Sequence, residues 1–274
     1  MPADLHCHSV CSDGATSIDN IFRLARLNNL DAVAITDHDT FMGLEQAEKA
    51  SEKYNVGLVK GVEISTFDYN RNRMVHMLCY NCKKPELFND VFETSIKNRY
   101  NAMISSVEKI RTRYNIDFDM VEELASESST VFKSHIMLAL MHAGYTDRVY
   151  GDLFKELFGH KTGFARTAII YPDVYEIIKL IHSAGGTAVL AHPGVYDTIP
   201  AIPQLIKAGI DGIECWYPRA TKEDTEILLE YTKNYNLLRT GGTDFHGYSC
   251  GNVNPLGTCT TPDEDLEKLL SFRK

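Results

Sequence analysis

The sequence predicts an α/β fold: a barrel of parallel strands wrapped by helices and interrupted by a helical insertion. Three observations predict it. Short apolar runs alternate with amphipathic stretches at both ends of the chain, as in a parallel sheet covered by helices. Residues 84–165 break that rhythm and read as helices with no convincing strand between them. Histidines, aspartates and glutamates recur where strands end, which is where a parallel barrel builds its site.

The elements follow in order. "ADLHCH" is the first strand. "SIDNIFRLARLNN" is a helix, with Ile18, Ile21, Phe22, Leu24 and Ala25 at helical spacing and Ser17 as its N-cap. "LDAVAITDHDT" is a buried strand running into polar residues, "FMGLEQAEKASEKYN" a helix, "VGLVKGVEIST" the third strand and "RMVHMLCYN" the fourth. "FDYNRNR" between the last two reads as a hairpin turn. The insertion then supplies "ELFNDVFETSIKNRYNAMISSVEKIRTRYN", "DMVEELASES" and "SHIMLALMHAGY". The strand–helix rhythm resumes with "YPDVYEIIKLIHSAGG", a helix closed by glycine. "TAVLAHPG", "DGIECWYP" and "LLRTGGTDFHG" are strands, separated by helices over "IPQLIKAGI" and "KEDTEILLEYTKNYN". "PDEDLEKLLSFRK" is the closing helix. The expected division is a barrel from residues 1–83 and 166–274, with residues 84–165 as a lid or substrate-binding insertion.

Composition narrows the function classes. The 274 residues hold 28 Lys and Arg against 37 Asp and Glu, a net charge of -9. That balance argues against a sequence-independent nucleic-acid coat, which wants a basic face. No run approaches the ~20 apolar residues that cross a bilayer, and no secretory leader is evident. Seven cysteines lie scattered, so a cytoplasmic setting with reduced thiols is expected. Cys79 and Cys82 have half the spacing of a zinc knuckle but no second pair.

The polar residues at strand ends carry the chemistry. His6 and His8 end the first strand. Asp37, His38 and Asp39 end the second, and Glu63 the third. His76 lies within the fourth, His192 ends "TAVLAH", and Asp244 and His246 follow the last strand. Residues i and i+2 of a strand share a side, so His6 and His8 project together. Paired imidazoles are at ease when neutral and sharing a cation. His142, His160 and His182 lie outside this pattern and read as structural or surface residues. One pocket holding so much charge would be destabilising without metal.

"DLHCHSVCSDG", "ITDHDT", "GVEIS", "AHPG" and "GGTDFHG" resemble the PHP family, named for its polymerase and histidinol phosphatase members. The branch most similar is the small stand-alone phosphoesterases, which act on nucleoside 3',5'-bisphosphates and short RNA 5' ends. The resemblance implies a distorted seven-stranded, TIM-like barrel holding two to three divalent ions, manganese, iron or zinc. It implies as ligands His6, His8, Asp13, His38, Glu63, His76, His192, Asp244 and His246, with Glu63 and Asp244 as bridges. It makes Asp37 the residue orienting a ligand imidazole. The branch tends to carry Arg-Pro-His in the insertion, where this chain has Lys133, Ser134 and His135. Tyr217 stands where histidine is common.

The expected activity is hydrolysis of a small phosphorylated metabolite, a nucleoside 3',5'-bisphosphate or related monoester, by hydroxide generated between the ions. His135 is the candidate general acid and phosphate contact. Lys133, Arg166 and Arg219 are candidates for a second phosphate. The alternatives are a cyclic phosphate phosphodiesterase or a short-RNA 5'-3' exonuclease, then a non-catalytic metal-stabilised binding module. An amidohydrolase using a carboxylated lysine is a third class, and Lys60 is poorly placed for that role. No membrane and no stable protein partner are expected.

Overall fold

A computed structural model describes residues 2–159, 162–249, 251 and 254–272; His160 lies outside them. Seven strands form one sheet in chain order: β1 (Ala3–Cys7), β2 (Ala32–Ile35), β3 (Gly57–Asp68), β4 (Arg73–Tyr80), β5 (Thr187–Leu190), β6 (Gly212–Trp216) and β7 (Leu238–Gly241). The helices are α1 (Ile18–Leu27), α2 (Leu44–Tyr54), α3 (Asn89–Ile110), α4 (Phe118–Leu124), α5 (Lys133–His142), α6 (Asp152–Phe158), α7 (Val174–Ser183), α8 (Ile202–Ala208), α9 (Lys222–Tyr235) and α10 (Asp263–Ser271). The sheet curls until its outer strands meet. Cys7 bridges to Phe245 and Ala3 to Thr261. Buried Asp4 on β1 accepts hydrogen bonds from the Thr243 and Gly257 amides, each at 2.8 Å. The barrel is nearly closed and seven-stranded.

The sheet is not wholly parallel. β4 runs antiparallel to both β3 and β5. The reason is the short turn at residues 69–72, since a parallel return needs a crossover of a dozen residues or more. Reversal puts the N-terminal half of β4 at the same end as the C-terminal tips of the parallel strands. His76, four residues into β4, is thereby carried to the site from a strand's beginning.

β4 delivers the chain to the far end of the barrel, and α3 brings it back. Its 22 residues span about 33 Å at 1.5 Å per residue. Phe88, just before it, and Phe92 pack into the barrel's largest apolar cluster beside Val62, Ile64 and Ile177. From Ala102 onward the helices form a separate core confined to residues 102–165 and built around Val107, Ile136, Leu140 and Leu157. The structural seam therefore lies about a dozen residues into α3, later than residue 84.

Inside the barrel, Leu5, Val59, Leu78, Tyr80 and Val189 pack across from different strands. The Tyr80 hydroxyl donates to the Leu5 carbonyl at 2.7 Å. This apolar floor supports the polar cluster above it. α1 and α2 cover one outer face through Ile18, Phe22 and Ala47, and Ser17 caps α1 by accepting from the Asn20 amide at 3.4 Å. Among the described residues no helix is long and apolar enough to cross a membrane.

Candidate metal centre

All nine expected ligands converge at one end of the barrel. They form three overlapping groups whose donor atoms lie within 4.8 Å of one another: His8, Asp13, His38 and His246; His6, Glu63, His192 and Asp244; and His38, Glu63 and His76. His6 and His8 are fully buried, with ring centroids 5.2 Å apart. The His246 ring stacks 4.1 Å from that of His8. Close approach is possible because Gly242 lies hard against the His6 backbone, where any side chain would collide. His192 and Asp244 have φ of 23° and 49°, a left-handed conformation that non-glycine residues adopt at a cost and that clusters at functional sites.

Glu63 is the hub. Its two oxygens lie 2.8 Å from His76 Nδ1, 2.8 Å from His192 Nε2, 3.1 Å from His8 Nε2 and 3.2 Å from His38 Nδ1. Burial pushes its carboxyl up, but His76, His38 and His6 outweigh that and hold it well below the usual range. Asp244 Oδ1 lies 3.3 Å from His8 Nε2 and 3.5 Å from His6 Nε2. Both carboxylates thus stand between imidazoles, as bridging ligands would.

The donor set fits divalent cations. His6 Nε2, both nitrogens of His8 and His38 Nδ1 are buried and have no well-formed hydrogen bond, which is costly for groups without another partner. The far nitrogens explain which faces are offered. His6 Nδ1 faces Glu214 at 3.0 and 3.2 Å, and His246 Nδ1 donates to the Asp244 carbonyl at 2.8 Å. A proton on each Nδ1 leaves Nε2 as a lone-pair donor. Mixed imidazole and carboxylate ligands suit zinc, iron or manganese.

Two orienting residues differ from expectation. Among the described residues Asp37 hydrogen-bonds to serines and not to an imidazole. It accepts from the Ser9 amide at 2.7 Å and from the Ser9 and Ser12 hydroxyls at 2.6 Å, so it braces the loop between His8 and Asp13. The carboxylate that orients an imidazole is Glu214, which also accepts from the His192 amide at 2.7 Å. Glu214 is a single acid inside apolar β6, and nothing in its sequence position tells that it faces His6. Tyr217 works similarly, its hydroxyl accepting from the Gly194 amide at 2.8 Å and fixing the loop after His192.

Comparison with known proteins now decides the family. Residues 4–184 match the PHP domain. The chain belongs to the PHP family. It is 32% identical over 249 residues to a phosphoribosyl 1,2-cyclic phosphate 1,2-diphosphodiesterase of Eggerthella lenta, covering 90% of this chain and 95% of that one. It is 30% identical to a 5'-3' exoribonuclease of Haemophilus influenzae, covering 90% of each. A metal-dependent phosphoesterase structure from Bifidobacterium adolescentis superposes with a TM-score of 0.90 at 30% identity, covering 98% and 95% of the two chains. The protein is a metal-dependent PHP phosphoesterase.

Above the PHP centre lies a cavity of about 1460 Å³ roofed by the insertion. Asp13, His38, Glu63, His192, Asp244 and His246 form its floor. Lys133, Arg166 and Arg219 all line it, with Arg219 exposed at the mouth. Burial, then the charges of Arg166 and Arg99, lower the Lys133 ammonium; the three cations share one region. Lys60 instead points outward to Glu48 at 2.5 Å, away from the metal ligands.

His135, the expected general acid, is buried on α5 behind the cavity wall. It does not line the cavity. Its Nδ1 accepts the Phe132 amide at 3.1 Å. Burial pulls its pKa down to about 4, against a small opposing pull from Asp13. The neutral ring is favoured at pH 7.

Proposed function

We propose that this PHP enzyme hydrolyses one phosphoester of a small ribose phosphate that carries a second phosphate. One observation carries the reading: seven residues of the nine-residue His/Asp/Glu cluster line the cavity that a cationic wall of Lys133 and Arg166 also lines. When bound, divalent ions would supply a hydroxide nucleophile at neutral pH and neutralise the phosphoryl oxygens. The nine ligands would hold those ions, and Glu214 and Asp37 would keep the ligands in place. Lys133 and Arg166 would hold the second phosphate and so fix which ester reaches the floor. Arg219 would meet the substrate at the mouth.

Nucleoside 3',5'-bisphosphates meet this description. Relatives support it, since a 3',5'-nucleoside bisphosphate phosphatase of Chromobacterium violaceum is 27% identical over 252 residues. The second reading, a diesterase opening a cyclic phosphate on a phosphoribosyl unit, is favoured by the 32% identity to the Eggerthella lenta enzyme. Both names contain two phosphates on a ribosyl group.

The test is turnover of a matched panel by the manganese-loaded enzyme, read both as phosphate released and as organic product separated by chromatography. Adenosine 3',5'-bisphosphate is compared with 3'-AMP and 5'-AMP, and phosphoribosyl 1,2-cyclic phosphate with ribosyl 1,2-cyclic phosphate. A 5'-phosphorylated oligoribonucleotide completes the panel. In at least one set the compound bearing the second phosphate should be preferred at least tenfold in kcat/KM. Equal rates with and without it, or turnover of the oligonucleotide alone, would contradict the reading.

A further inference from the structure

The Cys79–Cys82 pair has a place in the fold that the reaction at the metal centre does not use. Side chains alternate along β4. His76 turns inward to the metal centre and Leu78 and Tyr80 to the barrel floor. Val75, Met77 and Cys79 turn outward into the apolar cluster shared with α7. Cys79 is therefore fully buried on the face opposite the ligands. The strand ends at Tyr80, and Asn81 bends the chain with a φ of 53°. The bend returns Cys82 to the rim of the same cluster, where it is partly buried.

The two sulfurs meet one short segment of chain. Cys82 Sγ donates to the Ala184 carbonyl at 3.7 Å. Cys79 Sγ lies against Gly186, so close that a Cβ there would come within 2.6 Å of it. The Lys83 and Lys84 amides also donate to the Ala184 carbonyl, at 3.0 and 3.1 Å, and hold the bend in place. The two thiols share a hydrogen bond with each other. The Cys7 and Cys215 thiols differ, each donating to a backbone carbonyl of its own strand, at 3.8 and 3.5 Å.

Exposure divides the pair into two roles. The hydrogen bond from Cys79 brings the Cys82 thiol down to about 7 against its partial burial, with help from the Lys84 amide. Donating that bond, and burial, hold the Cys79 thiol well above its ordinary value. The thiolate is the nucleophile, so the accessible sulfur is also the reactive one. Exposed Lys83 and Lys84 flank it and favour an incoming reagent that carries carboxylates. We propose that Cys79 and Cys82 form a thiol–disulfide exchange site for small acidic disulfides, with Cys82 as the attacking sulfur and Cys79 as the resolving one. The Cys82 thiolate attacks one sulfur of the reagent, whose S–S bond breaks and releases a thiolate. Cys79 then gives up its proton and attacks Cys82, forming the internal disulfide and releasing the second thiolate. The protein loses two electrons and two protons, and the reagent leaves as two thiols.

The test incubates the whole protein with glutathione disulfide at neutral pH, blocks the remaining thiols and maps the peptides by mass spectrometry. The expected product is a Cys79–Cys82 disulfide. It should form at least about tenfold faster than any adduct at Cys259, whose thiol burial pushes up to about 11. Cys79→Ala should stop at a mixed disulfide on Cys82, and Cys82→Ala should leave Cys79 unmodified. A mixed disulfide that persists on Cys82 in the wild type would overturn the proposal, as would reaction at Cys82 no faster than at Cys259. Should Cys79→Ala fold poorly, the wild-type map decides by itself. The readout is the sulfur chemistry alone, so its outcome is independent of which phosphoester the metal centre cuts.

Discussion

At the scale of single residues, His135 gives a prediction whose sign follows from its surroundings. Its folded pKa of about 4 lies below the ordinary imidazole value of 6.5, so the fold favours the neutral ring. The unfolded chain then takes up the proton first as pH falls. Stability should be unaffected above pH 6.5 and decline between 6.5 and 4. His135→Asn keeps an acceptor for the Phe132 amide but cannot titrate. Denaturant unfolding of both proteins should show the wild type losing roughly 3 kcal/mol more than the variant between pH 7 and pH 4. A difference that stays constant with pH would contradict the assignment of a buried, neutral His135. The residue scale also separates what sequence exposes from what it hides. The nine residues of the cluster were legible because they recur at strand tips in a fixed motif order. Glu214 was not, since an acid in the middle of "GIECW" gives no hint that it faces inward beneath His6. Asp37 was misassigned because adjacency to His38 in "TDHD" says nothing of where its side chain turns.

At the scale of elements, the alternation of strands and helices was readable from apolar periodicity, and the hairpin at residues 69–72 from its polar turn. The direction of β4 was the part missed by treating every strand as parallel. A loop that short forces reversal, and the reversal is what lets His76 join the site. The insertion was legible as helices, but its boundary was not. Phe88 and Phe92 belong to the barrel by packing although they precede the turns that belong to the lid. The separate core at residues 102–165 implies separable stability. Leu140→Ala, at a fully buried position on α5, should cost about 2–5 kcal/mol. Hydrogen exchange should place the loss of protection in α3 beyond Ala102 and in α4 to α6, with β1 to β7 little changed. Uniform loss across the barrel would show that the two cores unfold as one.

At the scale of the whole molecule, the barrel's closure and its chemistry are linked. Asp4 ties β1 to the loop after β7, and that loop carries Asp244 and His246 to meet His6 and His8. Residues separated by more than 200 positions reach one pocket only because the sheet curls shut. The apolar floor of Leu5, Leu78 and Tyr80 keeps solvent from the underside, so the acids and imidazoles face only each other, the cavity and whatever cations they hold. Metal binding should therefore stabilise the fold as well as drive the reaction. The most direct measurement is elemental analysis of the purified protein paired with phosphate release before and after exhaustive chelation. The account predicts two to three divalent ions per chain, activity falling to background as they are removed, and recovery on adding manganese. Undiminished turnover by protein containing no detectable metal would contradict it.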